Sequence, residues 1–397
     1  MTGRYVRIFL TVLLLLAVAS PTFAARRSSL SGNLLIQDAD DMFFFPQLVS
    51  MHKRMVTFDF GPSAGLGSGG MVFGTEQVTV GLFAHRSDFL GAIDNAYFTR
   101  GDIDNIFEDG DINVGVGPDA LNWIDLLTGF QVGENPVGIR LSIARGNNDP
   151  NDPPSSAIQD DVTAFNVVLG ARLNQFGADG SIEFAYASAT EENTPAVGTQ
   201  EYSPFHIGIG LRRTAMDESD ALFLGWLGMF SYTSGSVDFT PTAGTSSSTD
   251  LNQMRLQLGA GPVYHPNDRT NVAMYGTFEY VSDTEEISGG DKNTSTEMVI
   301  PGWNVAAELE VTSWMQFRSG LRSRFVFETS KTEPPAPGTT VEDKGNRLDY
   351  AWTTGIGLRF GNFTLDGYLD PSVITTGTDF LGEAGDLFGL VTTSFHF

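Results

Sequence analysis

Hydrophobic and polar residues alternate along most of this chain in blocks of about ten, the length a tilted strand needs to cross a bilayer. In 137–145, Val137, Ile139, Leu141 and Ile143 share one face and Gly138, Arg140, Ser142 and Ala144 the other. The block 164–173 sets Phe165, Val167, Leu169, Ala171 and Leu173 against Asn166, Gly170 and Arg172. Over 204–212, Phe205, Ile207, Ile209 and Leu211 oppose His206, Gly208, Gly210 and Arg212; over 253–264, Met254, Leu256, Leu258 and Ala260 oppose Gln253, Arg255, Gln257 and Gly259. Later, 315–328 carries Phe317, Leu321, Phe325 and Phe327 opposite Gln316, Arg318, Arg322 and Arg324, and 348–360 carries Tyr350, Trp352, Ile356 and Leu358 opposite Asp349, Thr353 and Arg359. A soluble β-sandwich alternates too, so the connections must decide.

Counted back from Phe397, the connections are alternately long (371–386, 329–346, 283–301, 234–250, 190–203, 146–160) and short (361–362, 312–314, 265–270, 214–219, 174–180, 133–136). Short periplasmic turns and longer extracellular loops are the habit of outer-membrane barrels, whereas a sandwich has no reason for the asymmetry. The phase places both termini in the periplasm. Thirteen strands from Ala120 onward and one over 77–85 make an all-β, transmembrane antiparallel β-barrel of about 14 strands, within a range of 12–16. The count reaches sixteen if 55–60 and 70–74 join the wall. Trp314, Phe360, Phe363, Tyr264 and Phe397 fall at turn-side strand ends and Tyr232, Tyr280 and Phe327 near loop-side ends, as interfacial girdles do.

The start of the chain is an address. Arg4 and Arg7 precede an apolar run over 8–19, and Thr22-Phe23-Ala24 places small residues at −3 and −1, so residues 1–24 form a signal peptide cleaved after Ala24. The remaining 397 − 24 = 373 residues divide into an N-terminal plug or periplasmic segment, 25–76, and a barrel, 77–397. The chain has no Cys, which closes the lipoprotein route and excludes disulfides. Its net charge of −25 argues against nucleic acid as a partner. Outer-membrane lipid and the barrel-assembly machinery are the partners expected, and no cofactor is.

The final segment, Gly389-Leu-Val391-Thr-Thr393-Ser-Phe395-His-Phe397, resembles the insertion signal of Gram-negative outer-membrane proteins, with Phe395 and Phe397 as its aromatic pair. A barrel preceded by some 50 residues rich in Asp, Gly and Phe also resembles the long-chain fatty-acid transporter family. That family's N-terminal segment plugs the lumen and carries an Asn-Pro-Ala turn after an acidic, aromatic stretch. Here the matching stretch contains Asp40, Asp41, Phe45, Pro46 and Gln47; Pro46 aligns, while Phe45 and Gln47 replace its neighbours. The resemblance implies a plugged channel for a small hydrophobic or amphipathic solute. A general porin and a structural barrel, such as a secretion-system component or a presenter of surface loops, are the alternatives.

The faces assigned to the lumen collect Arg140, Arg172, Glu183, His206, Arg212, Arg255, Glu279, Glu308, Glu310, Arg318, Arg322, Arg324, Asp349 and Arg359. Glu308 and Arg318 flank a short turn and are expected to be cross-strand neighbours, and so are Arg172 and Glu183. Ion-pair ladders stiffening the wall are one reading; a basic stripe of Arg318, Arg322 and Arg324 attracting anionic solutes is the other. Of five His, only His206 lies well inside the lumen face, without an acid or nucleophile placed beside it, so no enzyme is expected. Asp109, Asp111 and Asn113 have oxygen-rich spacing of the kind calcium favours, but Val114 and Ala120 stand where an EF-hand has Gly and Glu, so no metal is expected.

Overall fold

The computed structural model describes residues 25–60, 68–75, 77–86, 123–147, 159–192, 198–214, 221–241, 244–335, 338–369 and 388–397. The expected signal peptide, residues 1–24, and the segment bearing Asp109, Asp111 and Asn113 lie outside them.

The strands are β1 (Met55–Phe60), β2 (Ser68–Gly74), β3 (Val78–Arg86), β4 (Trp123–Val132), β5 (Asn135–Asn147), β6 (Gln159–Leu173), β7 (Ala178–Glu192), β8 (Gly198–Tyr202), β9 (Phe205–Arg213), β10 (Leu222–Pro241), β11 (Ser247–Asn267), β12 (Thr270–Ile287), β13 (Lys292–Thr312), β14 (Met315–Glu333), β15 (Val341–Phe360), β16 (Phe363–Leu369) and β17 (Phe388–His396). All neighbours are antiparallel. β8 and β9 follow one another along the same gap between β7 and β10, so they share one wall position. β1 pairs with β2 on one side and β17 on the other, Met55 opposite His396 and Phe58 opposite Thr393, which closes the ring. Among the described residues the wall therefore has sixteen positions. The segments 55–60 and 70–74, outside the preferred count of fourteen, are its first two strands.

The alternation reads out as two faces. In β9, Phe205, Ile207, Ile209 and Leu211 are exposed, and His206, Gly208, Gly210 and Arg212 are buried. Ile143, Leu169, Leu258, Leu321 and Trp352 likewise point outward. An apolar outer band around a polar inner face, with no edge strand left unpaired, is the arrangement that hydrocarbon demands of a spanning sheet. The protein is a transmembrane β-barrel of outer-membrane type.

One expectation about connections is corrected. The stretches 234–250, 283–301 and 329–346 are largely strand, because β10 to β15 run for 18 to 21 residues each. About ten residues suffice to span. The excess is rich in Ser and Thr with alternating charge, so it keeps a ladder in water without an apolar face, and a search for apolar alternation passes over it.

Candidate functional site

Residues 25–52 lie inside the barrel. Helix α1 (Ala25–Ser29), helix α2 (Asp41–Phe44) and a 3-10 helix (Pro46–Met51) are too short to be stable alone, so their shape comes from packing. Leu30, Leu34, Leu35, Ile36, Met42, Phe43, Phe45, Leu48 and Val49 are almost wholly buried in one apolar cluster with wall residues Phe83, Leu227, Met229, Val263 and Tyr275. Phe43 meets Phe83 edge-on at 4.9 Å. Pro46 opens the 3-10 helix, where its missing N–H is no loss. Asn33 Oδ1 accepts from the amides of Leu35 and Ile36, turning the chain between the helices.

Inward-facing glycines make room for this plug. Gly129 is directly opposite Gly138, and Gly138 opposite Gly170, a row across β4, β5 and β6. A Cβ at Gly138 would run into the Pro46–Gln47 backbone, one at Gly170 into the Gln47 side chain, and one at Gly129 into Val49 at 2.7 Å. On the far wall a Cβ at Gly320 or Gly355 would strike Leu30 and Ser31 or Ser29.

Beside the glycine row stands the first ionic anchor. Asp41 pairs with Arg27 of the plug and, at 2.8 Å, with Arg212 of β9. Arg212 also reaches Asp179 of β7 at 3.4 Å, donates to the Leu34 carbonyl at 3.1 Å and lies over the Phe45 ring at 4.5 Å. Gln47 donates to Asp179 at 3.2 Å, and Arg140 donates to the Phe43 carbonyl while holding Glu183 and Asn166, each at 3.1 Å. Burial at this density is tolerated because each charge has its counter-ion and hydrogen bonds.

The second anchor joins α1 to the opposite wall. Arg26 binds Glu308 of β13 at 2.9 Å and Asp38 at 3.4 Å; Arg318 of β14 binds the same Glu308 at 2.6 Å and Asp366 of β16 at 2.5 Å. Asn33 and Asn304 pair at 2.7 Å, and Thr353 bonds both Ser31 and the Ser29 carbonyl. Burial alone would raise the Asp38 carboxyl, but Arg26 and Arg27 outweigh it and hold it below its usual value. His52, just past the 3-10 helix, is pushed down by burial.

The expected neighbours Glu308 and Arg318 are opposite one another and ion-paired. Arg172 and Glu183 are not neighbours. The turn over 174–177 puts Arg172 opposite Asp179, 4.0 Å away, while Glu183 sits opposite Val168 and pairs with Arg140. Arg318 and Arg324 do not form a stripe aimed at anions: Arg324 binds Glu279 at 3.2 Å, Glu297 at 2.6 Å and, more distantly, Asp349 at 3.9 Å. Arg322 faces the same wall between them, and Arg255 of β11, opposite Val281, stands two residues along from Gln257, which donates to Glu279. Arg359 approaches Glu310 at 4.0 Å near the turn end. His206 shares a hydrogen bond with Thr233 at 2.8 Å. Of the plug residues, Asp41, Phe45 and Pro46 touch the wall or its glycines, and Asp40 borders a cavity of about 310 Å³ against β1, β16 and β17. A larger one, about 1170 Å³, opens at the turn end under Gln47, Leu48 and Met51. Sequence reasoning missed Arg26, Arg27, Asp38, Asp179, Asn304 and Asp366.

No protein-family model and no curated protein matches the chain. Among solved structures, the siderophore receptor PiuA from Acinetobacter baumannii aligns over 63% of this chain and 47% of its own, at 10% identity and a TM-score of 0.40. The Pseudomonas putida toluene transporter TodX aligns over 95% of this chain and 98% of its own, at 10% identity and 0.38. The TodX deltaS2S3 mutant monoaromatic hydrocarbon channel aligns over 95% and 99%, at 10% identity and 0.39. The chain spans about half the length of the siderophore receptor PiuA. The reading of the lumen rests on its own residues.

Proposed function

We propose that this protein is a plugged outer-membrane channel that admits a small hydrophobic or amphipathic solute when residues 25–52 shift within the barrel, with the turn end and both termini in the periplasm. The observation that carries the reading is the apolar patch of Leu227, Met229, Val263 and Tyr275 on the inner face, covered by the plug. A barrel lumen is ordinarily polar. An apolar patch there is either plug-binding surface alone or, once uncovered, a path that an apolar solute wets better than water does. The insertion signal ends on Phe395 and Phe397, outward and stacked at 6.5 Å, where assembly machinery could grip them.

Two measurements test this. In planar bilayers the intact protein should conduct poorly, and deletion of 27–52 should give a sustained ohmic pore; equal conductance would end the plug reading. In vesicles, Met229→Gln should slow uptake of a small apolar solute while leaving ion conductance of the deletion variant unchanged. The strands of 18 to 21 residues favour a second reading, a barrel that presents its tall polar rim. Uptake no faster than through empty vesicles would select it.

A further inference from the structure

Among the described residues, one acidic side chain in the wall lacks a counter-ion. Asp59 of β1 is 1% exposed, its polar neighbour across the seam is the Thr392 hydroxyl, and no arginine, lysine or histidine is ion-paired with it. Folded proteins pair a buried carboxylate or neutralise it, because leaving it bare in a low dielectric is costly. Asp59 is directly opposite Thr392 of β17, and Thr392 is opposite Asp366 of β16, so the three form a row on the inner face beside the seam where the ring closes. Asp366 is satisfied by Arg318 at 2.5 Å.

The backbone nitrogen of Ala25 sits at the middle of this row, donating to Thr392 Oγ1 at 3.2 Å, and Ala25 is wholly buried. In the sequence, Ala25 directly follows Thr22-Phe23-Ala24, the small residues of a leader cleavage site. We propose that removal of the leader after Ala24 supplies the missing counter-ion: the new α-ammonium group of Ala25 pairs with Asp59 and fastens the start of the plug to the β1–β17 seam.

The chemistry balances as an ordinary hydrolysis by signal peptidase. Water adds across the Ala24–Ala25 bond; the carbonyl carbon takes the hydroxyl and leaves with the leader as a carboxylate, and the nitrogen takes the hydrogen and then a proton. One amide donor becomes three ammonium donors. One continues to Thr392, and a second points toward Asp59, since directly opposed Cβ atoms in a sheet are about 5 Å apart. An α-amino group titrates near 8, so it is charged at neutral pH, and a carboxylate partner raises it further.

The test begins with the intact mass of protein purified from outer membranes, which should correspond to residues 25–397; a chain beginning at another residue overturns the proposal. A double-mutant cycle follows, combining Asp59→Asn with insertion of one Gly before Ala25, which displaces the ammonium by about 3.8 Å. The readout is the temperature at which the folded gel band converts to the unfolded one. Each change alone should lower it by several degrees, and the two together no further than either alone. Additive effects, or no effect of the insertion, overturn the pairing. Should Asp59→Asn fail to assemble, Asp59→Glu keeps the charge and must remain sensitive to the insertion; insensitivity counts against the pair.

Discussion

The plug meets the wall at two ionic anchors built differently. At β5 to β9 the side chains of Arg212, Asp41 and Asp179 are all 0% exposed, and Asp41 alone serves two guanidinium groups, Arg27 and Arg212. At β13 to β16, Arg26 is 23% exposed and Glu308 12%, a cavity of about 310 Å³ adjoins them, and every cation has two carboxylates: Arg26 has Glu308 and Asp38, Arg318 has Glu308 and Asp366. Both anchors share a carboxylate between two cations, but the first is dry and its Arg27 pairs with Asp41 alone, whereas the second is damp and each of its cations has a second carboxylate. Water and redundancy both soften the loss of any one charge, so the first anchor should act as a fixed latch and the second as the side from which the plug loosens.

The comparison breaks most sharply on matched charge removals. Asp41→Asn takes the ion-pair partner from buried Arg27 and leaves Arg212 with Asp179 alone, and should cost about 3–5 kcal/mol, the usual penalty for leaving a buried charge unpaired. Glu308→Gln leaves Arg26 with Asp38 and Arg318 with Asp366, so no cation is left bare, and it should cost less than Asp41→Asn. Open-channel probability in bilayers should rise strongly for the first and weakly for the second; equal effects would show that the anchors are equivalent. The next largest effect is steric. Gly138→Val drives a side chain into the Pro46–Gln47 backbone and should destabilise plug seating by about 1–3 kcal/mol, read as protease sensitivity within 25–52. Gly276→Ala meets nothing closer than 3.7 Å and should leave seating unchanged.

Much of the wall was legible because its rule is local. A period of two sorts Phe205 from His206 whatever else the chain does, and a tight turn fixes register, which is why Glu308 and Arg318 could be paired by counting. The same counting failed for Arg172 and Glu183, where Gly177 in the left-handed conformation closes a turn tighter than the 174–180 expected and brings Asp179 opposite Arg172 instead. β1 and β2 were left out of the preferred count because they are 6 and 7 residues long and separated by a Gly-rich stretch. The plug's partners were invisible for a different reason. Arg26 and Glu308 are 282 positions apart, and no periodicity says which wall charge meets which plug charge. Gly138 and Gly170 were placed correctly on the inner face, but only Pro46 and Gln47 lying against them explain why they are glycine.

The smallest effect is on acidity, and it sharpens the claim that the damp anchor is the yielding one. Two plug groups near that side are both held below their ordinary values, His52 by burial and Asp38 by its cationic partners. Burial holds His52 neutral below its ordinary value, so the unfolded plug binds a proton that the seated plug refuses, and seating weakens as pH falls below about 6.5. Arg26 and Arg27 hold Asp38 below its ordinary value, so its contribution is whole above about pH 4 and is lost only as pH drops through the depressed titration. Conductance measured against pH should therefore rise in two steps, a shallow one in the mildly acidic range and a second below about pH 4. His52→Gln should erase the first step and leave the second; a single step, or one insensitive to His52→Gln, would mean that the plug is not released from the α1 side.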